Sequence, residues 1–261
     1  MPLVGQLTGV PVLGYHRIVD ASSSPDEARR WGVHESAFRE QLQLVRHLAM
    51  TVVAPEEIAA GQLPARPVAF TFDDGYSSDY QIAFRLLSEF AVSATFFVNT
   101  SSLDADGFLT WQMTAEMSRA GMRFGSHAHN HVALTTLNPE RLREELRISR
   151  EMLEQRLSTR AEALAAPYGF CNQHVLDAAW ESGYRVVCTS KPWPAQRGQR
   201  VLSRAAVLEH TSLDEFRKLL NNDPSVYLRR WSRDRALAIP KFVFLRLRPE
   251  LLGVRTGEDT L

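Results

Sequence analysis

Two adjacent carboxylates follow an apolar run in the first third of the chain. Residues 68–76 read VAFTFDDGY, so the run ends at Asp73 and Asp74. Because neighbouring side chains of a strand point in different directions, one carboxylate could bind a metal ion while the other accepts a proton. A helix N-cap followed by an Asp-Gly turn is the alternative, but turn chemistry explains one aspartate and not two.

A cluster of histidines follows a second apolar run. Three of the eight histidines fall within five residues, in the segment FGSHAHNH that ends at residue 131. His127 and His131 are four residues apart, a spacing that lets two imidazoles converge on one ion where the backbone is helical or turned; His129 points elsewhere. With Asp74 they would form a two-histidine, one-carboxylate site with open positions, which suits a catalytic metal. A structural role, usual for an isolated histidine, is the alternative.

A third segment, residues 165–170, reads AAPYGF and again closes an apolar run. Its proline and glycine indicate an irregular turn whose backbone N–H groups could bind an oxyanion. A turn with a purely structural role explains the same residues.

The elements that must position these groups alternate between two periodicities. Strand patterns occur at 12–15, 68–72, 94–98, 122–125, 162–166, 184–189 and 201–208. Helical patterns occur near 36–49, 79–90, 111–120, 139–157, 173–182 and 213–220. Such alternation predicts βα units around a buried parallel sheet, with functional loops at the carboxyl ends of its strands. Periodicity leaves open whether the sheet closes into a barrel.

The composition narrows the possible function classes. The chain has 261 residues, 44% of them hydrophobic, and 30 basic residues balance 30 acidic ones. A nucleic-acid-binding protein would carry a basic excess, so the balance argues against that class. No apolar run is long enough to span a bilayer and the first residues lack a secretion-signal pattern, so a cytoplasmic location is expected. Cys171 and Cys188 are expected to be small buried hydrophobes.

The last part of the chain is basic and aromatic. Eight basic residues lie against two acidic ones between residues 225 and 255, interleaved with Trp231, Phe242 and Phe244. One interpretation is a basic C-terminal helical arm that packs on the domain with its arginines in solvent. The other is a peripheral contact with an anionic membrane surface. The predicted organisation is a catalytic domain over residues 1–222 and a C-terminal extension over 223–261.

Three of these segments resemble the motifs of a known family, the polysaccharide deacetylases, also called the NodB-homology domain or carbohydrate esterase family four. TFDDG at 71–75 is similar to its first motif, SHAHNH at 126–131 to its second, and APYG at 166–169 to its third. The match in order and spacing extends from about residue 12 to residue 220. The resemblance implies a single-domain, distorted parallel (β/α) barrel with about seven strands.

The resemblance also implies roles for individual residues. Asp73 would be the general base, and Asp74, His127 and His131 would bind one divalent ion, usually zinc, with cobalt or nickel as alternatives. Tyr168 would donate its backbone N–H to the oxyanion.

Four further residues are expected to contact the substrate: Trp111, Pro167, Gly169 and Arg204. For Trp111, a position in the core or on the rim is an equal alternative. Many family members carry an arginine two residues before the proline of the third motif, where it steadies the base. That residue is Ala165 here, so Arg204 is also the candidate replacement, with an exposed arginine as the alternative.

The general acid has two candidates. LEH at 208–210 resembles the last family motif, LxH, which points to His210. His16, at the end of the first predicted strand, is the other candidate.

The predicted function is metal-dependent removal of an N-acetyl group from an amino sugar in a polysaccharide or a lipid-linked glycan precursor, by water activated by the metal and Asp73. The alternatives are an O-acetyl esterase or non-sugar amide hydrolase at the same site, and a non-catalytic carbohydrate-binding homologue. An acetylated glycan is the expected partner and nucleic acid is not. A cytoplasmic protein could also contact the inner face of the membrane through the C-terminal extension.

Overall fold

Parallel strands surrounded by helices make up the fold. The computed structural model describes residues 7–20, 23 and 31–233. The strands are β1 (Val12–Tyr15), β2 (Arg17–Val19), β3 (Gly32–His34), β4 (Thr51–Val52), β5 (Pro67–Asp74), β6 (Thr95–Val98), β7 (Arg123–Ser126), β8 (Ala163–Ala165), β9 (Val186–Thr189), β10 (Val201–Ser203) and β11 (Ala205–Ala206). The α-helices are α1 (Glu35–His47), α2 (Pro55–Ala60), α3 (Arg85–Glu89), α4 (Trp111–Arg119), α5 (Pro139–Leu157), α6 (Gln173–Glu181) and α7 (Leu213–Leu220). A π-helix spans Asp79–Phe84, short 3-10 turns span Leu134–Thr136 and Pro167–Gly169, and residues 224–233 are also helical.

The main sheet is an almost closed barrel. Its strands lie in the order β10-β9-β8-β7-β6-β5-β1-β11, and β4 adds to β5. All of these pairs are parallel. Only Arg204 separates β10 from β11, so one short segment pairs first with β9 and then with β1. Counting that segment as a single strand gives seven positions around the barrel, which confirms the distorted (β/α) barrel of about seven strands.

Alternation along β5 lets one strand serve both the core and the barrel mouth. Phe72 belongs to the buried cluster that includes residues of the surrounding helices, and it stacks on Tyr15 at a centroid distance of 5.1 Å. Ala69 belongs to a second buried cluster, which fills the barrel. Thr71 and Asp73 share the parity of Ala69, so the two-residue period of a strand points them into the barrel. Asp73 therefore lies inside the barrel near its carboxyl end.

Two predicted elements are divided in the structure. The predicted helix 79–90 consists of the π-helix followed by α3, and the predicted strand 201–208 breaks at Arg204. A π-helical insertion is rare and frequently marks a functional site. The side chains of Asn138 and Ser212 accept N-cap hydrogen bonds at α5 and α7, at the positions where the sequence predicts these helices to begin.

The C-terminal helical residues 224–233 pack against the barrel. Arg230 donates to Glu215 of α7 at 2.8 Å and to the backbone carbonyl of Ala206. Residues 234–261, which include Phe242 and Phe244, lie outside the described residues, and the domain boundary at residue 222 stays a prediction.

Both cysteines are free thiols. Cys188 is buried in the barrel cluster, as expected, and Cys171 is half-buried. Over the residues that the structure describes, none of the helices combines the length and apolar character needed to cross a bilayer.

Candidate active site

Asp74, His127 and His131 come together at the carboxyl ends of β5 and β7. Oδ1 of Asp74 lies 3.1 Å from Nε2 of His131 and 3.4 Å from Nε2 of His127. One ligand atom from each residue lies within 4.8 Å of the others. Burial alone would raise the pKa of Asp74, but hydrogen bonds from the two histidines hold this pKa well below its usual range. Two imidazole nitrogens and one ionised carboxylate fit a divalent ion with open coordination positions.

The backbone around this cluster adopts rare conformations. Nine non-glycine residues of the described chain have positive φ, and four of them lie here: Asp74 (78°), Ala128 (64°), His131 (52°) and Tyr168 (59°). Gly75 continues the turn after Asp74 with φ of 76°, and a Cβ on it would lie 2.8 Å from a methyl group of Val98. Left-handed backbone at non-glycine residues costs energy and concentrates at functional sites. The strain redirects Asp74 away from the strand alternation that Asp73 follows.

A second layer of contacts orients the histidines. His127 donates from Nδ1 to the backbone carbonyl of Ala165 at 2.8 Å, which leaves Nε2 to face the other ligands. Glu145 of α5 accepts from the backbone N–H groups of His129 and Asn130 at 3.0 and 2.9 Å. Glu145 is 9% exposed, so these are buried charge-assisted bonds. Sequence reasoning missed Glu145, because it stands among many charged residues of a long amphipathic helix.

Asp73 is held by a different partner. Arg204 donates from Nη1 to Oδ1 of Asp73 at 2.6 Å and from Nη2 to Oδ2 at 2.7 Å. Asp73 is 4% exposed and Arg204 3% exposed. Burial alone would raise the pKa of Asp73, but the charge and hydrogen bonds of Arg204 outweigh it and lower this pKa. Asp73 is therefore an ionised carboxylate, fixed in orientation by a bidentate arginine.

The position of Arg204 corrects two expectations from the sequence. The alternative that Arg204 is exposed is wrong, since its side chain lies inside the barrel. A sugar contact is also at odds with the geometry, because the guanidinium hydrogen-bonds Asp73, the Thr71 hydroxyl at 3.1 Å and the Thr189 carbonyl at 3.4 Å. Arg204 thus orients Asp73, the role for which the sequence offered no arginine at position 165.

The third motif forms a tight turn beside the metal ligands. The ring of Tyr168 lies 4.8 Å from that of His131, and its hydroxyl donates to the His131 carbonyl at 3.3 Å. Pro167 is buried. A Cβ on Gly169 would lie 2.5 Å from Oγ of Ser190, so the turn needs glycine there. The oxyanion role of Tyr168 and the substrate contacts of Pro167 and Gly169 stay predictions.

The two candidate acids lie in different environments. His16 follows β1, and the charges of Asp73, Asp74 and His127 all act on it. Burial lowers the pKa of His16, and the charges of Asp74 and Asp73 oppose that effect without cancelling it. Its Nδ1 is buried with no hydrogen-bond partner among the described residues. His210 is exposed in a turn before α7. The structure brings His16 to the site, and it shows His210 as an exposed residue of the turn that follows β11.

Trp111, at the start of α4, is half-buried. It packs against the core, and the guanidinium of Arg156 lies 5.5 Å from its ring centroid. This placement agrees with the core or rim alternative, and its role in lining a cleft stays a prediction.

Asp79 is a buried carboxyl group that sequence reasoning missed. It begins the π-helix, is 0% exposed, and neither oxygen has a hydrogen-bond partner among the described residues. Burial raises the pKa of Asp79 well above its usual range, and the negative charges of Asp74 and Asp73 raise it further. Burial and these two charges therefore favour the protonated form of Asp79, which lies close to the site. A residue at a helix start is ordinarily exposed, so the sequence carried no signal of this burial.

Comparison with known proteins places these residues in context. The family model described as polysaccharide deacetylase matches residues 60–187. YxkH of Bacillus subtilis, whose name assigns it to the polysaccharide deacetylases, is 28% identical over 195 residues, 73% of this chain and 67% of that protein. A Staphylococcus aureus poly-beta-1,6-N-acetyl-D-glucosamine N-deacetylase is 25% identical over 200 residues, 66% of this chain and 69% of that protein.

The Streptococcus pyogenes deacetylase PplD, solved in complex with acetate, superimposes with a TM-score of 0.76 at 28% identity. The superposition covers 82% of this chain and 98% of PplD. The match to the family model includes Asp73, Asp74, His127, His131 and Tyr168, whereas His16, Arg204 and His210 lie outside it.

Proposed function

Since this chain belongs to the polysaccharide deacetylase family, we propose that it hydrolyses the N-acetyl group of an amino sugar within a glycan. The observation that carries the proposal is that an arginine-bound Asp73 adjoins three side chains that could hold a metal ion: Asp74, His127 and His131. Asp73 is bonded to Arg204, whereas Asp74 faces His127 and His131. One carboxylate can therefore accept a proton from water while the other helps to hold the ion.

Asp74, His127 and His131 are the residues that would hold the ion. When bound, a divalent ion lowers the pKa of water and polarises the acetyl carbonyl. The mixed nitrogen and oxygen donors favour zinc, and they also suit cobalt or nickel.

Asp73 accepts the proton of the water that attacks the acetyl carbon. Its two oxygens are both bonded to Arg204, so the carboxylate cannot rotate away from the mouth of the barrel. Arg204 stays protonated, because the charge of Asp73 raises an already high pKa against the effect of burial. In the tetrahedral intermediate, the backbone N–H of Tyr168 donates to the oxyanion.

The departing amine needs a proton, because an amide nitrogen is a poor leaving group as an anion. We assign this role to His16, on which the charges of Asp73 and Asp74 act. His210 is the alternative that the LEH motif offers. An O-acetyl ester needs less help from an acid, so comparing amide with ester turnover separates the two substrate classes.

The substrate class is an acetylated amino-sugar polymer or a lipid-linked precursor of one. A Staphylococcus aureus relative is named for poly-beta-1,6-N-acetyl-D-glucosamine, which makes that polymer the first candidate. A cytoplasmic location and a peripheral contact with the inner face of the membrane are further proposals. The contact is favoured by Leu228 and Trp231, which are 51% and 45% exposed on residues 224–233. Sedimentation with anionic vesicles tests the contact.

Acetate release tests the function. The purified chain is stripped of metal, reloaded with zinc or cobalt, and incubated with β-1,4- and β-1,6-linked N-acetylglucosamine oligomers and with a lipid-linked acetylated amino sugar. We expect release from at least one glycan in the reloaded protein and none in the stripped protein or in Asp73→Asn. Failure to release acetate from all of them, with metal bound, rejects the proposal.

A further inference from the structure

Trp31 exposes a large aromatic surface next to the active site. Its side chain is 37% exposed, and it is one of four large hydrophobic side chains that the described residues leave exposed. Its ring lies 4.4 Å from that of His16, centroid to centroid, with 34° between the planes. The indole therefore rests on the candidate acid and leaves part of its surface in solvent.

The backbone places Trp31 at the mouth of the barrel. β2 leaves the end of β1 and pairs in parallel with β3, which begins directly after Trp31. The N–H of Arg17 approaches the Trp31 carbonyl at 3.5 Å. The small sheet thus carries the indole on the same edge as the carboxyl end of β1, from which His16 projects.

A polar pocket lies along β2, the strand that pairs with β3 directly after Trp31. It has a volume of about 240 Å³, and its walls include Arg17, Tyr76, Ser77 and Gln81. The Arg17 guanidinium carbon lies 3.6 Å from the centroid of the Tyr76 ring. Tyr76 lies two residues after Asp74, so this wall of the pocket adjoins the proposed metal site. Arg17 belongs to the pocket wall and also approaches Trp31 through its backbone.

We propose that Trp31 and the Arg17–Tyr76 pocket together bind the sugar unit adjacent to the one that is deacetylated. A pyranose ring presents an apolar C–H face and a rim of hydroxyl groups. The C–H face can pack on the exposed indole, and the hydroxyl groups can hydrogen-bond to the guanidinium, hydroxyl and amide groups of the pocket. This inference rests on the proposed function, and it gives the enzyme a preference for chains over single sugars.

A pair of substrates tests the role of Trp31. We expect Trp31→Ala to raise KM for a tetramer of N-acetylglucosamine by about two- to tenfold, the usual range for one aromatic contact. The loss should be smaller for the small ester p-nitrophenyl acetate, because this substrate has no neighbouring sugar. Trp31→Phe should keep most of the affinity for the tetramer. Trp231→Ala is the matched control, since Trp231 is similarly exposed and lies outside this pocket.

A binding measurement separates this inference from the proposed function. In the Asp73→Asn background, tetramer binding is followed by quenching of tryptophan fluorescence. Quenching that is lost in Trp31→Phe and kept in Trp231→Phe supports the site even if no glycan is ever deacetylated. Equal losses of turnover with tetramer and ester in Trp31→Ala would overturn it, because they would mean that the indole acts only through His16. Unchanged tetramer KM and quenching would also overturn it.

Discussion

Two sides of the barrel mouth, the metal side around Asp74 and the base side around Asp73, differ in the sequence separation of the residues that contact each other. On the metal side, Asp74 is joined by two histidines from one short loop, and His127 is oriented by a carbonyl 38 residues away. On the base side, Asp73 depends on Arg204, which is 131 residues away. Adjacent carboxylates of one strand therefore have different chemistry, because strand alternation and a left-handed turn give them different neighbours.

This difference separates two ways of losing activity. A substitution on the metal side is expected to abolish ion binding, whereas one on the base side is expected to leave ion binding intact. Variants on the two sides should therefore be distinguishable by metal content as well as by rate.

The largest effects are expected from single substitutions on each side. His127→Ala should abolish both metal retention and turnover, because it removes one of three ligands. Asp73→Asn should lower kcat by about 10²–10⁴-fold, the usual contribution of a general base, and leave metal content unchanged. Metal analysis of the purified variants, together with acetate release, checks both. Loss of metal in Asp73→Asn would show that the two aspartates share one role.

Removal of Arg204 is expected to have the next largest effect. Arg204→Met leaves the Asp73 charge buried without a partner, which costs about 3–5 kcal/mol of unfolding free energy. Arg204→Lys keeps the charge but loses the bidentate geometry, so it should be milder for stability and still poor in turnover.

The double variant Asp73→Asn/Arg204→Met is the control for that prediction. It removes both charges together, so it should be less destabilised than the sum of the two single variants. Urea unfolding gives the free energy of unfolding of the wild-type protein, the two single variants and the double variant. Strict additivity would mean that the buried pair is not coupled in the folded protein.

A smaller and more selective effect is expected for the candidate acids. His16→Ala should lower amide turnover by about 10²-fold and ester turnover much less, because an ester leaving group needs less protonation. His210→Ala, in an exposed turn, should leave both rates close to those of the wild-type protein. A selective loss of amide turnover in His210→Ala, with His16→Ala unaffected, would reverse the assignment.

The smallest effect concerns the stability contribution of Asp79. Its pKa is raised in the folded chain, so above the unfolded value the native state retains a proton that the unfolded state has released. The contribution of Asp79 to the free energy of unfolding is therefore largest below the unfolded-state pKa, and it decreases as the pH rises toward the raised pKa of the folded state. Each unit of elevation corresponds to about 1.4 kcal/mol, roughly 3 °C in a chain of this size.

Asp79→Asn replaces the neutral acid by a neutral isostere and removes that loss. The Tm of the variant relative to wild type should therefore increase between pH 5 and pH 8. Scanning calorimetry at both values, with the exposed Asp214→Asn as control, measures the difference. A constant Tm difference at the two pH values would show that Asp79 is ionised in the folded chain.

Much of the site was predictable because the chemistry-bearing residues stand next to recognisable strand ends. Asp73, Asp74, His127 and His131 follow apolar runs, and parallel strands deliver their carboxyl ends to a common edge. Glu145 and Asp79 were missed for a different reason. Their burial depends on which face of a helix meets the barrel, and a charged residue in a helix is ordinarily exposed.

The sequence by itself determined the βα alternation, the starts of α5 and α7, the candidate ligand trio and the likeness to a deacetylase family, because each is a local pattern of residue types and spacing. Tertiary structure alone decided that the sheet closes into a barrel at Arg204, which residue supports Asp73, and that His16 lies among the charged groups of the site. Contacts such as Asp73 with Arg204 join residues 131 positions apart. No local periodicity records such a contact, since it exists only once strand pairing has brought the first and last strands of the barrel together.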